Sequence, residues 1–113
     1  MPQAINYPKT AKSPTPSTGN AWASVAAAQG ISYQLVSIAG GCSSHGGAVS
    51  VLFGGTEQLR WSVGGDRSGS AVSEQYGLDG PITAPNQSLV VRTTSQPGGQ
   101  SCYSNFLYRI MLV

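Results

Sequence analysis

Apolar and polar residues alternate one for one along much of this chain, and the alternation is clearest at its end. In the stretch Tyr103 to Val113, Phe106, Tyr108, Ile110 and Leu112 fall on one side of an extended backbone, and Leu107, Arg109, Met111 and Val113 on the other. Both sides are largely apolar. That predicts a strand inside a sheet, with one face on a core and the other against a second subunit or a covering segment. The same period predicts strands over Ala21 to Ala27, Ile31 to Ala39, Ala48 to Phe53, Gln58 to Val63, Ala71 to Tyr76 and Gln87 to Thr94, with a short piece near Pro81 to Thr83. Val49, Val51 and Phe53 alternate with Ser50, and Leu59, Trp61 and Val63 with Arg60 and Ser62. Between these two strands, Gly54-Gly55-Thr56 supplies the backbone freedom a tight hairpin needs. Ala21 to Gln29 is Ala-rich enough to be a helix, but nine residues without an N-cap glutamate make a marginal one, so it is read as strand.

Fifteen glycines and seven prolines punctuate these runs. Seven or eight short strands at roughly ten-residue spacing define an all-β protein, an antiparallel sandwich or a barrel. Residues 1–20 differ in texture: Pro2, Pro8, Pro14 and Pro16 exclude helix and central strand, and Ser, Thr and Lys fill the gaps. They read as an extended N-terminal arm before a sandwich domain at 21–113. Stretched out, such an arm reaches on the order of 60 Å, far enough to touch a neighbour rather than its own body; the alternative is a free tail.

Charge narrows the functional classes. Charged residues make up 9% of the 113 positions, against about 25% in ordinary soluble domains. A surface of Ser, Thr, Asn, Gln and Gly suits a protein packed against copies of itself or a larger assembly. The net charge is +2, with Lys9 and Lys12 in the arm and four arginines in the body, so no basic stripe tracks a nucleic acid. No apolar run is long enough for a transmembrane helix, and the N-terminal stretch lacks the apolar core of a secretory signal. The expected partners therefore include neither nucleic acid nor membrane.

Candidate chemistry is sparse. His45 lies in Gly40 to Gly47, a glycine-rich loop, without a legible acid or nucleophile beside it. Cys42 and His45 form half of a zinc site, and Cys102 would add a third ligand where four are usual. Glu57, Asp66, Glu74 and Asp79 sit in or beside predicted turns as surface charges, with no visible pairing across a cleft. Trp22, Trp61 and Tyr76 could stack on a sugar, although Trp61 alternates with Leu59 and Val63 and so points to the core; Trp22 directly follows the arm and could anchor it. No enzyme activity, cofactor or metal is expected.

Several motifs carry a family resemblance. In order they are SYQLVSIAGG, then AVSVLFGGTEQLRWSV after a glycine-rich loop, a loop region ending near Gly80-Pro81-Ile82, NQSLVVRTTS, and the apolar terminal strand. From Val25 to Val113 the pattern resembles the small jelly-roll subunits that tailed bacteriophages use as capsid decoration, or cement, proteins. The two cysteines and the insertion Gly64 to Gly80 depart from it. The resemblance implies a jelly-roll sandwich that binds the outside of a phage capsid as a homotrimer and bridges capsomers of the major capsid protein. The protein would be made in the host cytoplasm and reside on the virion exterior. A carbohydrate- or host-surface-binding module of a phage fibre, or a small lectin, is the alternative. Under the first reading, Tyr7, Lys9, Lys12, Trp22, Asp66, Arg67 and Arg109 are candidate capsid or inter-subunit contacts.

In a jelly roll the strand Ile31 to Ala39 is expected to run antiparallel to the terminal strand. Pairing Ile38 with Phe106 then sets Cys42 opposite Cys102, within the Cα separation of about 4.4 to 6.8 Å of a disulfide. Two buried free thiols are the alternative in a reducing cytoplasm.

Overall fold

A computed structural model describes residues 3–4, 9–12, 17–18, 21–42, 47–63, 70–95 and 101–112. Ten strands follow in chain order: β1 (Gln3–Ala4), β2 (Lys9–Lys12), β3 (Ser17–Thr18), β4 (Ala21–Val25), β5 (Ile31–Cys42), β6 (Gly47–Phe53), β7 (Thr56–Val63), β8 (Ser70–Gln75), β9 (Leu89–Ser95) and β10 (Ser101–Leu112), with one 3₁₀ turn at Gly77–Asp79. They form two antiparallel sheets. Sheet A runs β1-β10-β5-β8, with β2 and β3 also on β10, and sheet B runs β4-β9-β6-β7.

The first three strands are one strand in pieces. Gln3 pairs with Leu112 and Ala4 with Met111; Lys9 to Lys12 pair with Tyr108 to Asn105; Ser17 and Thr18 pair with Cys102 and Ser101. The described stretches of the arm thus lie on the edge of their own sheet, which corrects the expectation of an arm directed at a neighbour. The prolines do not forbid this. In sequence, Pro2, Pro8, Pro14 and Pro16 lie outside the paired stretches, and an edge strand, unlike a central one, tolerates proline.

With the broken strand counted as one, each sheet has four strands and the chain is a hairpin wrapped on itself. The arm pairs with β10, β4 with β9, β5 with β8 and β6 with β7, so each strand of the first half meets its counterpart of the second in reverse order. Further pairing of β10 with β5 and of β6 with β9 completes the two sheets. This is the jelly-roll order. The hairpin turn of the whole wrap is Gly54-Gly55, whose φ values of 58° and 87° are those of a two-residue turn that side-chain-bearing residues rarely enter.

The core lies between the sheets. Ala23, Leu89, Val91, Val49, Val51 and Phe53 from sheet B meet Tyr33, Leu35, Ile38, Phe106 and Tyr108 from sheet A. On β10 the even-numbered side chains from Cys102 to Tyr108 are buried, as the alternation predicts. On β5 the inward set is Tyr33 and Leu35, then Ile38 and Cys42. The parity changes because the register shifts: Leu107 faces Ser37 and Tyr108 faces Leu35, leaving Val36 as the extra residue of a bulge. Beyond the 3₁₀ turn, the chain from Gly80 to Asn86 continues along the edge of β5. Leu35 N–H donates to the Pro81 carbonyl, Thr83 N–H to the Tyr33 carbonyl, and Ile82 bridges Gln34, so the predicted short piece there is a single bridge.

One end of the sandwich is closed differently from the rest. Phe106 stands opposite Ile38, the expected register, and Cys42 opposite Cys102; the two cysteines are joined by a disulfide. Beneath it, Ser104 Oγ lies 2.6 Å from Thr93 Oγ1 and donates to the Ala21 carbonyl at 3.0 Å, linking the two sheets through buried hydroxyls. A hydrogen-bonded chain is what makes burial of those polar groups tolerable.

Candidate functional site

Among the described residues no cavity forms, and no three of His, Cys, Asp and Glu gather as a metal site would require. The disulfide consumes both thiols, so neither cysteine is available to the half zinc site. His45, Asp66, Arg67 and Tyr7 lie outside the described residues. Of the other carboxylates, Glu57 is held by Ser50 Oγ at 2.6 Å and by Arg60 at 3.7 Å, and Asp79 stands exposed as the last residue of the 3₁₀ turn. Glu74, opposite Ile38 on β8, is half-buried. Among the described residues, Glu57, Glu74 and Asp79 share no cleft. What the fold presents instead are the two outer faces of its sheets.

The outer face of sheet A is built from the odd-numbered residues of β10 and their partners on β5 and β8. Tyr103 is 42% exposed, Ile82 46%, and Asn105, Leu107, Arg109 and Met111 are half-buried. Arg109 stands opposite Gln34 and reaches across β5, donating from Nη1 to the Gly77 carbonyl at 3.1 Å. Its charge is thereby used to tie β10 to the 3₁₀ turn. Lys9 is exposed opposite Tyr108, and Lys12 occupies the position opposite Asn105.

On sheet B the register sets four residues in one row across the outer face. Trp22 stands opposite Arg92, Arg92 opposite Ser50, and Ser50 opposite Arg60. Inward neighbours decide this: Ala21 and Ala23 are buried, so the side chain between them points out. Trp22 is 46% exposed, and the Arg92 guanidinium carbon lies 5.1 Å from the centre of its ring, a cation–π pair. Arg92 Nε is buried with no hydrogen-bond partner among the described residues. Arg60 has Glu57 as counter-charge; among the described residues no carboxylate pairs with Arg92.

These placements sort the aromatic candidates. Trp61 and Tyr76 pack against the core from its margin, whereas Trp22 is on the outside, so the three rings do not make one platform. The ring contact described for Trp22 is to Arg92 rather than to the arm. Arg92 itself was not singled out from the sequence. Its signal is the alternation Leu89, Val91, Thr93 against Val90, Arg92, Thr94, which shows that it points outward but not which residue stands beside it. Two tyrosines have raised pKa values: Tyr33 through burial and then Tyr108, and Tyr76 through burial and then Glu74. Tyr33 donates its hydroxyl proton to the Ala26 carbonyl at 2.7 Å and serves the fold.

No family model and no curated protein matches the chain. Similar solved structures include the carbohydrate-binding module CBM36-1 of a xylanase from the hindgut metagenome of Trinervitermes trinervoides, at 9% identity over 92% of this chain and 95% of that one, with a TM-score of 0.41. The virus-like particle of the extra small virus of the prawn Macrobrachium rosenbergii is similar at 8% identity over 97% and 79% of the two chains, with a TM-score of 0.47. A family two carbohydrate esterase from Clostridium thermocellum is similar at 15% identity over 90% of this chain and 28% of that one, with a TM-score of 0.41. Such distant likenesses bring neither ligand nor assembly to this chain.

Proposed function

We propose that this chain is a structural virion protein that binds the outside of a phage capsid and stabilises the shell by bridging capsomers, with the major capsid protein as partner and a homotrimer as the binding unit. The observation that carries the reading is the outer face of sheet A, where Tyr103 and Ile82 are exposed beside Leu107 and Met111 while Arg109 is drawn to a backbone carbonyl. A face with large exposed apolar residues is stabilised by being covered, and copies of the same chain or a shell can cover it. The resemblance of the strand motifs to phage decoration subunits adds to this reading. Residence on the exterior of a released particle also suits the disulfide, which would close after the chain leaves a reducing cytoplasm.

The alternative, a carbohydrate-binding module of a fibre or a small lectin, draws on the exposed ring of Trp22. Stacking on a sugar is weakened there because Arg92 lies over the ring and, among the described residues, no second ring joins it. Mass measurement of purified particles tests the choice. A shell-wide copy number is expected; a handful of copies per particle would place the protein in a fibre and overturn the decoration reading.

A further inference from the structure

The row Trp22, Arg92, Ser50, Arg60 has an unbalanced charge at its centre. Arg60 and Ser50 both engage Glu57, which leaves Arg92 over the Trp22 ring with a buried Nε that has no hydrogen-bond partner among the described residues. Burying a guanidinium N–H without an acceptor is costly. Closed to solvent, Nε is out of reach of an arriving acceptor, and the guanidinium offers such an acceptor its Nη donors instead. Ser50, between the two arginines in this row, is 2% exposed. The Arg92 guanidinium, a planar fork of donors, lies over the Trp22 ring.

We propose that Arg92 receives a carboxylate from the protein surface on which this chain docks, so that the outer face of sheet B is the docking face and its partner is acidic. The inference rests on the decoration reading and names the surface that reading requires. The acceptor belongs to a protein for two reasons. The described residues form no cavity, and sugars and small anions are held in concave sites, whereas an outer face centred on Trp and Arg has the make-up of a protein contact. A nucleic-acid backbone, for its part, demands a track of several free cations, and here Arg60 is already matched by Glu57. The apolar outer face of sheet A is left for contact between copies.

The test titrates the intact, isotope-labelled protein with hexaglutamate, following the Arg92 Nε–H and Trp22 indole N–H resonances by NMR, with hexaglutamine, oligogalacturonate and a short DNA duplex as comparisons. Hexaglutamate is expected to move both resonances, less so at high salt, and hexaglutamine to leave them in place. Arg92→Gln should weaken binding on the order of tenfold or more. Arg92→Lys, which keeps the charge but loses the fork, should fall between. Shifts centred on Arg109 or Lys9, an indifferent Arg92→Gln, or tighter binding of the oligogalacturonate or the duplex at the same resonances would overturn the proposal. On particles, loss of occupancy by Arg92→Gln supports it. Unchanged occupancy where the wild type coats the shell overturns it and leaves decoration standing; if only a handful of wild-type copies are present, decoration fails and the peptide titration alone decides the role of Arg92.

Discussion

Replacing Cys42 and Cys102 together by alanine removes a crosslink between residues 60 apart in sequence. On the chain-entropy relation, freeing a loop of that length stabilises the unfolded ensemble by about 4 kcal/mol. The side chains themselves are 7% and 5% exposed, so truncating them loses a further contribution of about 1 kcal/mol per site. For a chain of 113 residues, the crosslink term alone corresponds to a fall in Tm of roughly 15 °C. Denaturant unfolding separates the two terms. Oxidised wild type, wild type reduced through its unfolded state, and the double variant should rank in that order, with the first gap belonging to the crosslink and the second to packing. The m-value should rise in the last two, because an open chain exposes more surface on unfolding. Equal midpoints for oxidised and fully reduced wild type, with thiol titration confirming reduction, would refute the reasoning.

Deleting residues 1–20 should strip the outer edge of β10, costing about 0.5–1.5 kcal/mol per lost backbone bond before any relief of chain entropy, and should promote self-association through the bared edge; a truncated chain that unfolds at the same temperature and sediments as a monomer would refute this. Gly80→Ala would put a methyl group onto the Leu35 carbonyl oxygen, a backbone atom that cannot swing aside, and should lower stability by about 3 kcal/mol. Gly40→Ala meets the hydroxyl of Thr93, a side chain, and should cost less; chemical denaturation ranks the two. Burial raises the Tyr33 and Tyr76 hydroxyls above the ordinary value of 10.0, so the unfolded chain releases those protons first. Stability should hold below pH 10 and decline as pH rises through the folded values, and Tyr33→Phe should flatten part of that decline.

What the sequence disclosed follows the range of the forces involved. The strand β10 was legible because its period is local, and the cysteine pairing followed once β5 and β10 were set antiparallel. The glycine turn was equally plain. The parity change on β5 was not, because the bulge at Val36 becomes visible only against the partner strand. The arm was misjudged for a related reason: proline argues against a central strand and is silent about an edge, and Lys9–Lys12 and Ser17–Thr18 are too short to show a period. Arg92 and Trp22 lie 70 positions apart in number and meet through the β4–β9 register. Nothing local to either residue announces that contact.

The pairing of Gln3 with Leu112 has a mechanical consequence. Both outer ends of the ladder lie at the same pole of sheet A and run in opposite directions, so tension applied to them would load its bonds one after another rather than all together. The arm would peel from β10 like a zip at low force, and β10 from β5 after it. Peeling would stop at Cys102, where the covalent link to Cys42 carries the load. Single-molecule pulling from these two ends should therefore show an early, soft extension with a fixed limit in oxidised protein, and in reduced protein an extension that continues through the whole chain.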